Sequence, residues 1–166
     1  MNRSLFVVAG SIGAAIVTAA CGGTAGYGGY PSANSSGAYS GTSSATVGIA
    51  SSKVGQILVD GTGRALYLFE ADKGPVSSCN DSCLVVWPAL VTTGSPIAGP
   101  GVNAALLTTT QRKDGSLEVV YNGHPLYYFS GDKQPGDVTG QGLSSFGAQW
   151  YVLSPGGEKI DTGSGY

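Results

Sequence analysis

The chain has 166 residues, of which only eight are basic and ten acidic, and it contains 28 Gly and 8 Pro. This composition excludes a coiled coil or long helical protein, which needs dense Ala, Glu, Lys and Leu. Eight basic residues against ten acidic ones cannot neutralise a phosphate backbone, so no nucleic-acid partner is expected. A single histidine also excludes a metal site built on several histidines. A Gly-rich, turn-rich, all-β chain remains.

The first 20 residues have the organisation of a signal peptide. Arg3 precedes an apolar run over residues 5–17, which is shorter than the about 20 residues of a membrane span. Small residues then lead to Cys21, which resembles the acylated cysteine of the bacterial lipoprotein lipobox. We therefore predict a fatty acid such as palmitate on Cys21 and a lipid-anchored location at the extracytoplasmic face of the cell membrane. Thr18, where the lipobox usually has Leu, leaves a plain signal peptide open as the alternative.

A tether and a domain are predicted after the signal peptide. Residues 22–46 hold seven Gly, six Ser and three Tyr, a composition that cannot bury enough apolar surface to fold. We therefore assign residues 21–46 to the lipid-anchor cysteine and a disordered linker. Ordered sequence is expected over 47–160, followed by a flexible tail at 161–166.

The ordered region contains an internal duplication. The octet Leu66–Lys73 aligns with Leu126–Lys133, 60 residues further on. A proline and a tryptophan follow each octet at similar distances, namely Pro75 and Trp87 in the first half and Pro135 and Trp150 in the second. These matching anchors predict two repeats, at about 54–93 and about 114–155.

Each repeat begins with a hairpin signal. Residues 57–60 and 64–69 flank a Gly-Thr-Gly turn, and residues 117–121 and 124–129 flank Asn122-Gly123. Asn-Gly between β-formers predicts a two-residue type I′ turn, because both positions need a positive φ.

Further strands complete the predicted fold. Asp114-Gly115 separates residues 107–113 from the strand that follows, and both Val85–Trp87 and Trp150–Leu153 are predicted to be closing strands. Only residues 102–107 favour a helix, of one or two turns. We therefore predict an all-β domain of about eight short antiparallel strands in two similar halves, arranged as a sandwich or a partly open barrel.

The duplicated octets share the pattern Tyr-x-Phe-x-x-Asp, formed by Tyr67, Phe69 and Asp72 and again by Tyr127, Phe129 and Asp132. With its surroundings, this pattern resembles a family of secreted bacterial lipoproteins with a duplicated Tyr-x-(Phe/Trp/Tyr)-x-x-Asp motif, known as a secreted repeat of unknown function. The similarity extends over residues 54–156. It implies an extracytoplasmic, lipid-anchored domain and does not imply a reaction.

The motif residues, together with Trp87 and Trp150, are predicted to be structural. Aromatic residues two apart share one face of a strand, and an Asp just past the strand end can fix the chain exit through an Asx turn. In the alternative interpretation, Asp72 and Asp132 meet near a pseudo-two-fold axis and hold a cation.

Cys79 and Cys83 are predicted to form a disulfide, because an exported protein occupies an oxidising compartment. The alternative is a redox or metal site, in which the bond is exposed and reversibly reduced or the reduced pair holds a metal such as Cu(I).

No catalytic constellation is recognised, and neither a cofactor nor a metal is predicted. His124 lies in a hairpin turn, Ser144-Ser145 has no evident base, and Gly140-x-Gly142 lacks the context of a nucleotide loop. The sequence therefore favours a non-enzymatic, monomeric lipoprotein that is held to the membrane by its anchor. Its expected role is binding or structural, with a cell-wall or envelope component as partner and exposed aromatic side chains as the contact.

Overall fold

A computed structural model describes residues 43–161, which form short strands with very little helix. Within these residues, helix is confined to α1 (Ser82–Val86) and to a single 3₁₀ turn, Ala104–Leu106. The ten strands are β1 Thr46–Ser52, β2 Gly55–Asp60, β3 Tyr67–Phe69, β4 Val91–Thr92, β5 Ile97–Ala98, β6 Leu107–Gln111, β7 Leu117–Tyr121, β8 His124–Pro125, β9 Ser144–Ser145 and β10 Ala148–Val152.

These strands form three small sheets, none of which closes on itself. Their orders are β2-β1-β5, β3-β10-β9 and β4-β7-β6, with β8 paired to β7. Every pairing is antiparallel except the two-residue contact between β1 and β5. The predicted all-β class is confirmed.

Two of the predicted turns occur as expected. Asn122 and Gly123 have φ values of 49° and 81°, the positive pair that a type I′ turn requires. The turn at Asp114-Gly115 joins β6 to β7 in an antiparallel hairpin, with Gly115 at φ 85°. At both turns, the glycine supplies a backbone conformation that few other residues adopt.

One predicted strand is wrong. Val85 and Val86 belong to α1, and the N–H of Trp87 ends that helix by donating to the carbonyl of Cys83 at 2.8 Å. A disulfide between Cys79 and Cys83 closes the preceding loop, which favours a single helical turn over the extended chain that two β-branched residues suggest. Val85 is consequently 75% exposed.

Alternate residues of the duplicated strands face two separate cores. In β3, Tyr67 and Phe69 pack into one hydrophobic core, the aromatic core, which also contains Trp87, Tyr127 and Trp150. The intervening Leu68 packs into a second hydrophobic core, the aliphatic core, most of whose members are Leu and Val. The second repeat divides its residues in the same way, with Tyr127 in the aromatic core and Leu126 in the aliphatic one. The Tyr-x-Phe spacing therefore places both motif rings on one face of the strand.

The predicted signal peptide, Cys21, most of the linker and the tail from residue 162 lie outside the described residues. Within residues 43–161, no helix has the length and apolar character needed to span a bilayer.

Candidate functional site

The two repeats meet at a reciprocal backbone contact. The N–H of Tyr67 donates to the carbonyl of Tyr127 at 2.8 Å, and the N–H of Tyr127 donates to the carbonyl of Tyr67 at 2.9 Å. This antiparallel bridge places equivalent residues of the two motifs against each other. All the motif residues are consequently brought into one interface between the repeats.

Each motif tyrosine bonds the aspartate of the other repeat. The Tyr67 hydroxyl donates to Asp132 Oδ2 at 2.6 Å, and the Tyr127 hydroxyl donates to Asp72 Oδ2 at 2.8 Å. Burial is the largest cause that raises the pKa of both hydroxyls. The next cause is Asp132 for Tyr67, and Glu118 and Asp72 for Tyr127. Both tyrosines therefore remain protonated donors.

The remaining oxygen of each aspartate organises the loop that follows its motif. Asp72 Oδ1 accepts the N–H and the hydroxyl of Ser78, both at 2.7 Å. Asp132 Oδ1 accepts the N–H of Thr139 at 2.9 Å and its hydroxyl at 2.6 Å. The carboxylates thus tie down residues six and seven positions ahead, a longer reach than the local Asx turn expected from the sequence.

The two motif phenylalanines and the two tryptophans form one continuous stack. Phe69 stacks on Trp150 at 4.0 Å between ring centroids, Trp150 on Trp87 at 4.0 Å, and Trp87 packs against Phe129 at 4.5 Å. Successive rings come from alternate repeats. The stack therefore joins the two halves through their largest apolar side chains.

The motif aromatic side chains and the two tryptophans do not form an exposed contact surface. Tyr67, Phe69, Trp87, Tyr127 and Trp150 are buried in the aromatic core, and Phe129 packs against it. Their large surfaces serve packing between the repeats, which leaves them unavailable to a partner.

Two further sequence features are accounted for by this stack. Ser145 accepts both indole N–H groups, with its hydroxyl from Trp87 at 3.0 Å and with its carbonyl from Trp150 at 3.2 Å. Gly140 lies so close to the Trp87 and Phe129 rings that a Cβ would approach them to 2.8 and 3.0 Å. Both residues thus have packing roles in the aromatic core.

A buried ion pair lies beside the motif of the second repeat. Arg112 Nη1 and Glu118 Oε2 are 2.6 Å apart, and their side chains are 2% and 0% exposed. The second carboxylate oxygen, Glu118 Oε1, is buried and has no hydrogen-bond partner. Burial raises the pKa of Glu118 to about 7, although the guanidinium favours the ionised form.

Ser77 links this ion pair to the motif. Its hydroxyl shares a 2.6 Å hydrogen bond with the Tyr127 hydroxyl and accepts one from Arg112 Nη1 at 2.7 Å. The chain of contacts therefore runs from Glu118 through Arg112, Ser77 and Tyr127 to Asp72.

Sequence reasoning missed Ser77, Arg112 and Glu118. The signal was present in the strand Leu-Glu-Val-Val-Tyr, where apolar residues occupy both faces and leave the carboxylate no exposed side. Such a carboxylate needs a cationic partner from elsewhere in the chain.

The predicted disulfide between Cys79 and Cys83 is present, and both residues are buried. The carbonyl of Cys79 accepts a hydrogen bond from Arg112 Nη2 at 2.6 Å, so the clipped loop also anchors the ion pair. The redox form of the alternative requires an exposed bond, and the burial of both cysteines contradicts that requirement.

The alternative arrangement, in which Asp72 and Asp132 together hold a cation, is not seen among the described residues. Both oxygens of Asp72 and of Asp132 already accept hydrogen bonds from the protein, as described above. In the part of the chain that the structure describes, no group of three or more His, Cys, Asp or Glu side chains could hold a metal ion.

His124 lines an open pocket of about 330 Å³ at the ends of β3 and β8. Its neighbours there include Glu70, Glu158 and Lys159, and the ammonium group of Lys159 pairs with Glu70 at 2.6 Å. The pocket is also lined by Asp72 and by Phe69, so it borders the first motif and the Phe69 end of the ring stack.

Comparison with known proteins identifies the family. A model of the lipoprotein family described as a secreted repeat of unknown function matches residues 48–91 and 108–154. The two matched segments cover more than half of the chain, which therefore belongs to this family of secreted lipoproteins. No curated protein and no solved structure shows a significant match.

Proposed function

We propose, from the chain's membership of this lipoprotein family, that Cys21 carries a fatty acid and holds the domain at the extracytoplasmic face of the cell membrane. The domain then acts there, as a monomer, through non-enzymatic binding of a cell-wall or envelope component or as a structural element. The observation that supports a non-enzymatic role is the use of the motif itself: the Tyr–Asp bonds and the ring stack hold the two repeats together.

Lipid attachment is tested by metabolic labelling with an alkyne analogue of palmitate. Wild type and the Cys79→Ser/Cys83→Ser variant should both be labelled and recovered with membranes. Cys21→Ala should lose the label and leave the membrane fraction. The paired variants form a matched control, because each removes thiols but only one removes the proposed attachment site. An unlabelled wild type found in the medium would establish the plain signal peptide instead.

The binding role is tested by sedimentation with insoluble cell-wall material. We expect the mature chain to sediment with the wall in a saturable manner while releasing no soluble wall fragments. If the wall binds at the open pocket, a variant such as His124→Ala should reduce the amount of protein that sediments. Released fragments that accumulate with time would replace binding with catalysis.

The copper or redox role has less support. Reaching either sulfur requires opening of the loop that holds Arg112, because both cysteines are buried in the aromatic core. Rapid cleavage of the disulfide by a reductant in the folded protein would favour the copper or redox role over the binding role.

A further inference from the structure

Two hairpin turns in the molecule share a backbone conformation but differ in the residue that occupies it. Asn122-Gly123 has φ values of 49° and 81°, and Phe146-Gly147, between β9 and β10, has 55° and 95°. Asn tolerates the left-handed region because its short polar side chain can bond locally, whereas a bulky aromatic residue is strained there. Asn122 thus provides an internal reference for a favourable residue at this position.

Among the described residues, Phe146 belongs to neither hydrophobic core. Its side chain is 46% exposed, and none of the ring contacts among the described aromatic residues involves it. Leu143, on the same hairpin, is 40% exposed. A strained residue that contributes little to the core is typical of a site with an external role.

The hairpin that carries Phe146 is firmly held. The hydrogen bonds from the Trp87 and Trp150 indoles to Ser145 fix its base, and Trp150 also exchanges backbone hydrogen bonds with Gly142 and Leu143 at 2.8 and 3.0 Å. Phe146 is therefore presented from the central ring stack on a rigid support, so little further ordering is needed for it to bind.

The hairpin is also free of charge. No charged residue occurs between Asp137 and Glu158, whereas the described residues as a whole contain seven basic and ten acidic side chains. A domain with net negative charge is repelled by anionic headgroups. The uncharged hairpin is therefore a part of the surface at which approach to a bilayer costs least.

We propose that Phe146, with Leu143, inserts into the interfacial region of the membrane that carries the lipid anchor and so orients the domain. This inference rests on the proposed function, because two apolar side chains alone bind a bilayer weakly. A lipid at Cys21 keeps the hairpin near the surface, so even a weak second contact is occupied. The residues between Cys21 and Ser43 can span at most about 75 Å, which sets the range of the hairpin.

A membrane surface fits this hairpin better than a protein partner does. A stable protein interface buries about 800 Å² on each side, far more than two exposed side chains provide. Aromatic and aliphatic side chains at the interface of a bilayer act singly, without a complementary surface.

The test uses the full-length lipidated chain in vesicles of phosphatidylcholine and phosphatidylglycerol with brominated acyl chains, which quench nearby tryptophan. In Phe146→Trp, the emission above the wild-type background should fall by at least half relative to non-brominated vesicles. Ile97→Trp is the matched control, because Ile97 is an exposed apolar residue outside the hairpin, and its added emission should be unchanged.

Each other outcome overturns the proposal. If the chain floats with vesicles and the added emission of both variants is quenched to the same extent, the anchor is present but the hairpin is not inserted. A chain without fatty acid that fails to float refutes the proposed function itself, and this inference with it. Emission of Phe146→Trp that depends on protein concentration in the absence of lipid would assign the hairpin to a second copy of the chain.

A second variant tests the strain argument independently of lipid. Phe146→Asn copies the other hairpin and should raise the melting temperature by about 3 °C while abolishing protection of the hairpin amides on vesicles. A lower melting temperature would show that Phe146 serves the fold, and the proposal would then be wrong.

Discussion

The two repeats bond their tyrosines to the opposite aspartates in the same way, but the surroundings of the two hydroxyls differ. Tyr67 additionally accepts the backbone N–H of Gly140 at 3.3 Å. Tyr127 instead meets Ser77, which connects it to the buried Arg112–Glu118 pair. One tyrosine therefore rests against neutral backbone and the other belongs to a charged network.

Equivalent strand positions locate the origin of this difference. Leu66 donates its N–H to the carbonyl of Leu58, and the matching Leu126 donates to Val119. Ile57 comes one residue before the acceptor in the first repeat, and Glu118 comes one residue before the acceptor in the second, so the two side chains occupy equivalent positions. Both are fully buried. The first repeat thus shows that an aliphatic side chain fits this position. The Arg112–Glu118 pair is therefore a feature of the second repeat, and the strand arrangement that the two repeats share does not require it.

The largest effect is expected when only one member of the ion pair is removed. Arg112→Leu leaves Glu118 buried without a countercharge, and we expect a loss of about 3–5 kcal/mol in unfolding free energy. Arg112→Leu/Glu118→Ile, which copies Ile57, should recover most of that loss. Urea unfolding at pH 7.5 measures both variants. A double variant as unstable as the single one would show that the two halves need different residues at this position.

The two tyrosines should differ in their sensitivity to loss of the hydroxyl. Tyr67→Phe leaves Asp132, which is only 7% exposed, without its tyrosine donor, and should cost about 2–3 kcal/mol. Tyr127→Phe should cost about 1 kcal/mol, because Asp72 is less buried and water can replace the donor. Urea unfolding of both variants gives the comparison. Equal costs would mean that the pairing between repeats dominates and that local burial is unimportant.

The motif itself was readable from the sequence because its information is local. Two aromatic residues at strand spacing share a face, and an Asn-Gly pair specifies its own turn, so the shared face of the motif rings and the hairpin turn at Asn122-Gly123 follow from the sequence. The reciprocal bonds were not predicted, since either aspartate could have served its own repeat. Only the bridge between Tyr67 and Tyr127 determines that each crosses to the other.

The errors arose where a cross-link or a contact from a distant part of the chain overrides local preference. Val85 and Val86 favour a strand by themselves, but the adjacent disulfide and the cap at Trp87 place them in a helix. Arg112 and Glu118 lie only six residues apart, yet their shared partner Ser77 comes from another part of the chain. The first outcome depends on the Cys79–Cys83 bond, and the second does not follow from the residues nearby in sequence.

The disulfide occurs in the first repeat only, so its removal tests whether it supports the network of the second. Cys79→Ser/Cys83→Ser should cost about 2 kcal/mol at most, since the bond closes a short loop. Urea unfolding of this variant, and of wild type with reductant, measures the cost. A loss as large as that of Arg112→Leu would mean that the clipped loop is needed to hold the Cys79 carbonyl against Arg112.

The smallest expected effect is a pH dependence that only the second repeat can produce. The pKa of Glu118 is about 7 in the folded protein, above the 4.5 expected when unfolded. Between these values the folded state binds more protons than the unfolded state does, so stability rises as pH falls through 7. From pH 7.5 to pH 6 we expect a gain of about 1 kcal/mol in the unfolding free energy.

The same gain should be absent from Arg112→Leu/Glu118→Ile. Every other titratable group is common to the two proteins, so the difference between their unfolding curves across this pH range isolates the ion pair. An unfolding free energy of wild type that stays constant from pH 7.5 to pH 6, relative to the double variant, would mean that Arg112 outweighs burial and keeps Glu118 ionised in this range. The unpartnered oxygen Glu118 Oε1 favours the gain in stability toward pH 6. When Glu118 is ionised, only its Oε2 has a partner, so a proton on Oε1 removes a buried charge that is incompletely stabilised.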